Sequence, residues 1–223
     1  MAQALTSDEQ QQLQAIIAYA QHVLGQERSG HDFFHVDRVA KLAAQIDRTE
    51  ATGQLFLILA AAYLHDVTDE KVVPDPQTAH VDLQQQLQTW GVNDETIAEL
   101  FAIIDHMSFS KNLTEHQLLS SAGQIVQDAD RMDAIGAIGI ARTLTYGGNH
   151  DRVLYDPEIE PRTGMTKAMY RSNEGTTINH FYEKLLLIKN QLNTPAAKAL
   201  AEHRQQVMIN FLTEFKQEWD GQA

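Results

Sequence analysis

Apolar residues three and four positions apart, set in polar text, recur along most of the chain and predict a succession of amphipathic helices. Thr6 and Glu9 form a capping box, after which Leu13, Ile16, Ile17, Ala20, Val23 and Leu24 keep helical spacing until Gly25. A polar break, Gln26 to Gly30, precedes Asp32, which is placed to cap a second helix with Phe34, Val39, Leu42, Ala43 and Ile46 on its inner side. A third helix is expected from about Gln54 to Thr68. Its run from Leu55 to Leu64 is unbroken by polar residues, but at about half of the roughly 20 residues a membrane span needs it reads as a core helix. The region of Pro74 and Pro76 should be loop, followed by helices near Gln77 to Trp90 and Asn93 to Met107. Helical text resumes from Ser121 to about Tyr146, where Gly147 and Gly148 should stop it. Two further helices end the chain, the last begun by Thr194 as N-cap with Pro195 in the first position. No run of alternating strands interrupts this series, and the fold class expected is all-α.

The stretch 149–174 breaks the pattern with Pro157, Pro161, Gly164 and little periodicity. Long irregular segments in compact domains are often covers or binding elements, so this one is a candidate lid over a cleft within a single domain spanning 1–223.

Composition narrows the partners. A formal net charge of -13 disfavours nucleic acid polymers and anionic membranes, both of which would be repelled. Small anions remain compatible, because a bound cation with local Lys or Arg reverses the field inside a cleft. The absence of cysteine excludes disulfides and thiolate ligation, leaving His and carboxylates for any metal and favouring Mn, Fe, Co, Ni or Mg. The opening MAQALTSDEQQQ has no basic stretch followed by an apolar run, and a cytoplasmic location is expected.

Three clusters set charge into apolar text. His65-Asp66 follows the run Leu55 to Leu64, where an ionised carboxylate costs several kcal/mol unless it is paired, hydrogen-bonded or metal-bound. Alone, the pair reads more readily as an exposed helix end with an incidental histidine. His31-Asp-Phe-Phe-His35 would put two imidazoles on one helical face at i and i+4. Finally, Gln127-Asp128-Ala-Asp130-Arg131-Met-Asp133 lies between Ile125-Val126 and Ile135 to Ile138.

Taken in order, His35 with Arg38-Val39, His65-Asp66 and Asp130 resemble the motif of the HD superfamily of metal-dependent phosphohydrolases. QDADRMDAIGAIGIAR (Gln127 to Arg142) and HFYEKLLLIKNQLNT (His180 to Thr194) look like a bacterial subfamily with indicated nucleotide pyrophosphohydrolase activity. The likeness runs from about Thr6 to Glu218. It implies an HD-domain helical bundle whose inner helices direct His35, His65, Asp66 and Asp130 to one divalent cation, Mn being the first choice. Two imidazoles and two carboxylates would neutralise such an ion and leave room for water and a phosphate oxygen.

The same resemblance assigns further roles. Some HD pyrophosphohydrolases orient the attacking water with a Glu-Asp pair, which Asp69-Glu70 resembles in reversed order. His31 is a candidate phosphate contact or a donor behind a metal ligand, and reads equally as a capping or core histidine. On charge alone, Lys71, Arg131, Arg142 and Lys184 are candidates for substrate phosphate, although each by itself is more often a surface ion-pair partner. Asp128 and Asp133 are expected to cap or to orient Asp130. His106 stands where two-metal HD proteins recruit an extra ligand, and equally where a helix end is capped. The reaction implied is cleavage of a nucleoside or deoxynucleoside triphosphate to monophosphate and pyrophosphate by attack of metal-activated water. A nucleotidase or phosphodiesterase, or a nucleotide sensor without turnover, would use the same residues, and a homodimer is left open.

Overall fold

The run Leu55–Leu64 is apolar on every side, so it has to be surrounded, and in the computed structural model it is. The structure describes residues 4–27, 30–107, 118–163 and 175–222. Among them there is no strand, and no helix is long and apolar enough to cross a membrane. The chain folds into two compact units, Met1–Asp130 and Arg131–Ala223.

In the first unit α1 (Ser7–Leu24) begins at the capping box: Thr6 Oγ1 accepts from Glu9 N, and Thr6 N donates to the Glu9 carboxylate. Helix α2 (Phe33–Glu50) is capped by Asp32, whose carboxylate accepts from His35 N at 2.8 Å. The central helix α3 (Leu55–Leu64) packs against α1, α2 and α5. Ala60, Ala61 and Ala62 are fully buried, and such small side chains let neighbouring helices approach closely. Asp75 caps α4 (Pro76–Thr89), Asn93 caps α5 (Asp94–His106), and the two helices pack together. Helix α6 (Ser121–Asp133) buries Ala122, Ile125, Val126 and Ala129 completely. Gln127 Nε2 donates to the carbonyl of Met107, tying α6 to the end of α5.

In the second unit α7 (Gly136–Asn149) and a 3-10 segment (Leu185–Gln191) pack against the long terminal helix α9 (Pro195–Trp219), which is capped by Thr194. The short helix α8 (Asn179–Glu183) buries Phe181, whose ring lies 5.7 Å from that of Phe211. Residues 149–163, the described part of the candidate lid, are anchored. Thr177 N and Ile178 N donate to the carbonyls of Val153 and Leu154, Asn179 Nδ2 donates to that of Ile159, and Arg162 pairs with Glu183. The remainder of that segment, 164–174, lies outside the described residues.

Several sequence expectations require correction. Phe34 was expected on the inner side of α2 but is 68% exposed, because the buried face is formed by His35, Val36, Val39 and their successors. Helix α3 stops at Leu64 rather than Thr68, and turns carry the chain onward. Pro76 is not in a loop; it takes the first position of α4, where a missing N–H costs nothing. Gly147 and Gly148 lie inside α7, and Gly147 is there for space: an added Cβ would sit 2.3 Å from Thr177 Oγ1.

Candidate metal centre

Three helices and the segment ahead of α2 bring five titratable side chains together. His35 enters from the first turn of α2, His65 and Asp66 leave the end of α3, and Asp130 projects from α6. His31 comes from the segment ahead of α2. The expected i, i+4 face is therefore not what joins His31 to His35, since Asp32 is the N-cap and His31 precedes the helix. Their rings nevertheless meet edge to face with centroids 6.1 Å apart, and the rings of His35 and His65 are 5.3 Å apart.

The end of α3 fixes one imidazole. Helix C-termini leave carbonyls without intrahelical partners, and His65 Nδ1 takes up that of Ala62 at 2.8 Å. A carbonyl only accepts, so Nδ1 carries the proton and Nε2 is left as a lone-pair donor. Nε2 is buried and has no hydrogen-bond partner. It faces Asp66 Oδ2 at 3.5 Å and Asp130 Oδ1 at 3.8 Å. His35 Nε2 faces the same oxygens at 3.5 Å and 3.3 Å.

These separations exceed the 2.7–3.2 Å of ordinary N–H···O bonds. They are the spacing of atoms that share a neighbour about 2.1 Å from each, the usual bond length of a small divalent ion to nitrogen or oxygen. Each of the sets His31, His35, Asp66 and His35, His65, Asp130 offers ligand atoms within 4.8 Å of one another. The donor set, two imidazole nitrogens and two carboxylate oxygens with a buried nitrogen lone pair among them, fits a divalent cation. Burial alone would raise the Asp66 carboxyl, but the imidazoles of His65, His31 and His35 outweigh it and hold the group below the ordinary carboxylate range. At Asp130 burial and the neighbouring Asp66 push up, His35 and His65 push down, and the net direction is again down.

The other residues singled out in the sequence have different surroundings. Asp69 follows Asp66 in the turn beyond α3 and is partly buried; its Oδ1 accepts from Lys71 N at 2.9 Å. Glu70 and Lys71 are exposed. His106 donates from Nδ1 to the carbonyl of Ala102 and, among the described residues, is in neither ligand set. Asp128 is completely buried beside the candidate ligand Asp130. In the second unit Arg131 donates to the carbonyl of Gln191, and Arg142 pairs with the buried Asp133. Lys184 lies near His180 and shifts its titration. Tyr63 is a residue the sequence reading did not single out. Its hydroxyl donates to Asp37 at 3.1 Å, linking α3 to α2 just before His65, and nothing in the local sequence signals that long-range pair.

Comparison with known proteins gives this geometry a family. The HD domain model matches residues 33–135. A crystal structure of a protein from Lactobacillus plantarum has 49% sequence identity and a TM-score of 0.80, with 98% of this chain and 100% of that chain covered. An HD-superfamily hydrolase from Bacillus thuringiensis has 37% identity and a TM-score of 0.77, over 95% of this chain and 98% of that one. YpgQ of Bacillus subtilis is 36% identical over 96% of each chain. Its crystal structure in complex with ADP gives a TM-score of 0.75 over 95% of this chain and 96% of that chain. With the motif residues His35, His65, Asp66 and Asp130 gathered in one place, the chain belongs to the HD superfamily of metal-dependent hydrolases.

Proposed function

We propose that the protein hydrolyses the bond between the α and β phosphates of a nucleoside or deoxynucleoside triphosphate, releasing a monophosphate and pyrophosphate. The observation that carries this reading is the convergence of His35, His65, Asp66 and Asp130 around the buried, unpartnered Nε2 of His65. In this reading the four residues hold the cation, Mn2+ being the first choice by resemblance to the family among the Mn, Fe, Co, Ni or Mg that such a donor set suits. When bound, the ion supplies an acidic water and a Lewis acid for a phosphate oxygen. The chain's own contribution is orientation. Ala62 holds the His65 ring by its Nδ1–H, and the imidazoles keep Asp66 and Asp130 ionised. In this reading Asp69, three residues beyond Asp66 and partly buried, accepts the proton of the attacking water in preference to the exposed Glu70. The oxygen of that water joins the α phosphorus as the bond to pyrophosphate breaks. Within the same unit, Lys71 is a candidate for the outer phosphates.

The ADP complex of YpgQ supports a nucleotide ligand, since ADP carries the same α–β anhydride. The test is product analysis of Mn-loaded protein against a panel of nucleoside monophosphates, triphosphates and cyclic nucleotides, with a chelator control. Chelator-sensitive release of pyrophosphate is expected. Orthophosphate as the sole product would instead make it a nucleotidase, and opening of a cyclic nucleotide a phosphodiesterase. Asp66→Ala should lose bound metal and at least 100-fold in activity while keeping its helical circular dichroism. Full activity in that variant would overturn the ligand set.

A further inference from the structure

His31 occupies a built position that the four-ligand reading does not use. Gly30 precedes it with φ 101°, a conformation open to glycine and strained for other residues. Asp32 follows as the cap of α2, which ties the backbone just after His31 to the helix. Its Nδ1 lies 2.9 Å from Asp66 Oδ2. That oxygen also faces the Nε2 atoms of His35 and His65, each at 3.5 Å.

The difference in length separates two kinds of contact. At 2.9 Å the contact is a charge-assisted hydrogen bond, whereas 3.5 Å is not. An ionised carboxylate only accepts, so Nδ1 of His31 carries the proton and cannot at the same time offer a lone pair to an ion. The Asp66 side chain is 7% exposed and that of His31 25%, so the bond is made largely away from solvent.

We infer that His31 is a positioning residue: its Nδ1–H fixes the rotation of the Asp66 carboxylate and presents Oδ2 to the cation, without His31 being a ligand. This rests on the ligand set proposed above. Two rivals differ in what they predict. As a direct ligand, His31 would either lose its Nδ1 proton and move off Asp66 or reach the ion through Nε2, and in both cases its removal would change the ion's coordination. As a phosphate contact, it would act on substrate and leave metal affinity alone. Outer hydrogen bonds to metal ligands are typically worth about 10–100-fold in affinity, which sets the size of effect to look for.

The experiment titrates the full chain with Co2+, following heat and visible absorption, for the wild type, His31→Ala and His31→Asn, with thermal melts to show that each is folded. His31→Ala is expected to bind Co2+ about 10–100-fold more weakly, yet to reach the wild-type spectrum at saturation. His31→Asn should recover most of the affinity, because its Nδ2 stands as many bonds from the backbone as Nδ1 of histidine. Wild-type affinity in His31→Ala overturns the inference, all the more if the KM for a nucleoside triphosphate rises instead. A changed saturated spectrum overturns it in favour of direct ligation. If the wild type itself fails to bind Co2+, the ligand set falls and this inference with it; if only His31→Ala is unaffected, the ligand set stands.

Discussion

Asp69 and Glu70 are adjacent carboxylates with unequal surroundings. Asp69 is partly buried and has one oxygen committed to Lys71 N, while Glu70 is exposed. Asparagine at 69 would keep the acceptor that holds the turn and lose only the ability to take a proton. Asp69→Asn is therefore expected to lower kcat by about 10²–10⁴-fold with Mn2+ affinity unchanged, whereas Glu70→Gln should stay within a few-fold of the wild type. Steady-state rates with a calorimetric metal titration check both, and the reverse ranking would move the role to Glu70. The His65-Asp66 pair was visible in the sequence because charge follows ten apolar residues without warning, and residues near a core are charged only for a reason. The cations were visible as cations and no more. That Arg142 meets Asp133 and Arg131 meets the Gln191 carbonyl depends on chain folding over distances that no local spacing records.

Helix positions were legible wherever a cap preceded a periodic apolar run. Thr6, Asp32, Asn93 and Thr194 each begin the helix expected of them. Ends were less legible, since glycine marks either a stop or a close contact. Gly147 is the clearest case. By helix propensity alone, Gly147→Ala in α7 should stabilise by about 1 kcal/mol. The structure reverses the sign, because the new Cβ would meet Thr177 Oγ1 at 2.3 Å and Cγ2 at 2.9 Å, and overpacking a tight contact costs about 1–3 kcal/mol. Thr177 cannot simply withdraw, as its own N–H is bonded to the carbonyl of Val153 at 2.8 Å. Urea unfolding should show Gly147→Ala to be less stable than the wild type, and Gly147→Ala with Thr177→Ala to regain part of the loss. A stabilised single variant would mean that the contact relaxes without cost.

For the molecule as a whole, the all-α class was legible because helical period and caps agree along nearly the whole chain, while the division into two units leaves no mark in composition. The acid limit of stability was equally hidden, for it depends on which charges surround one imidazole. In the second unit burial, reinforced by Lys184, Arg152 and Arg162 and opposed by Glu183, pushes His180 down to about 4. An unfolded histidine titrates near 6.5, so below that pH the unfolded chain takes up a proton that the folded chain refuses until about pH 4. Folding stability from this group is thus complete above pH 6.5 and lost as pH falls toward 4, at up to about 1.4 kcal/mol per pH unit. Glu183 acts in the same direction but lower on the scale: burial raises its carboxyl, the bidentate Arg162 more than offsets that, and its contribution is lost only below the ordinary carboxylate range. Urea midpoints measured at pH 7 and pH 5 should therefore differ less in His180→Asn than in the wild type, by roughly 1–2 kcal/mol of unfolding free energy. Equal pH dependence in the two proteins would show that His180 accepts its proton in the folded state as readily as in the unfolded one, and would place the acid sensitivity with the carboxylates alone.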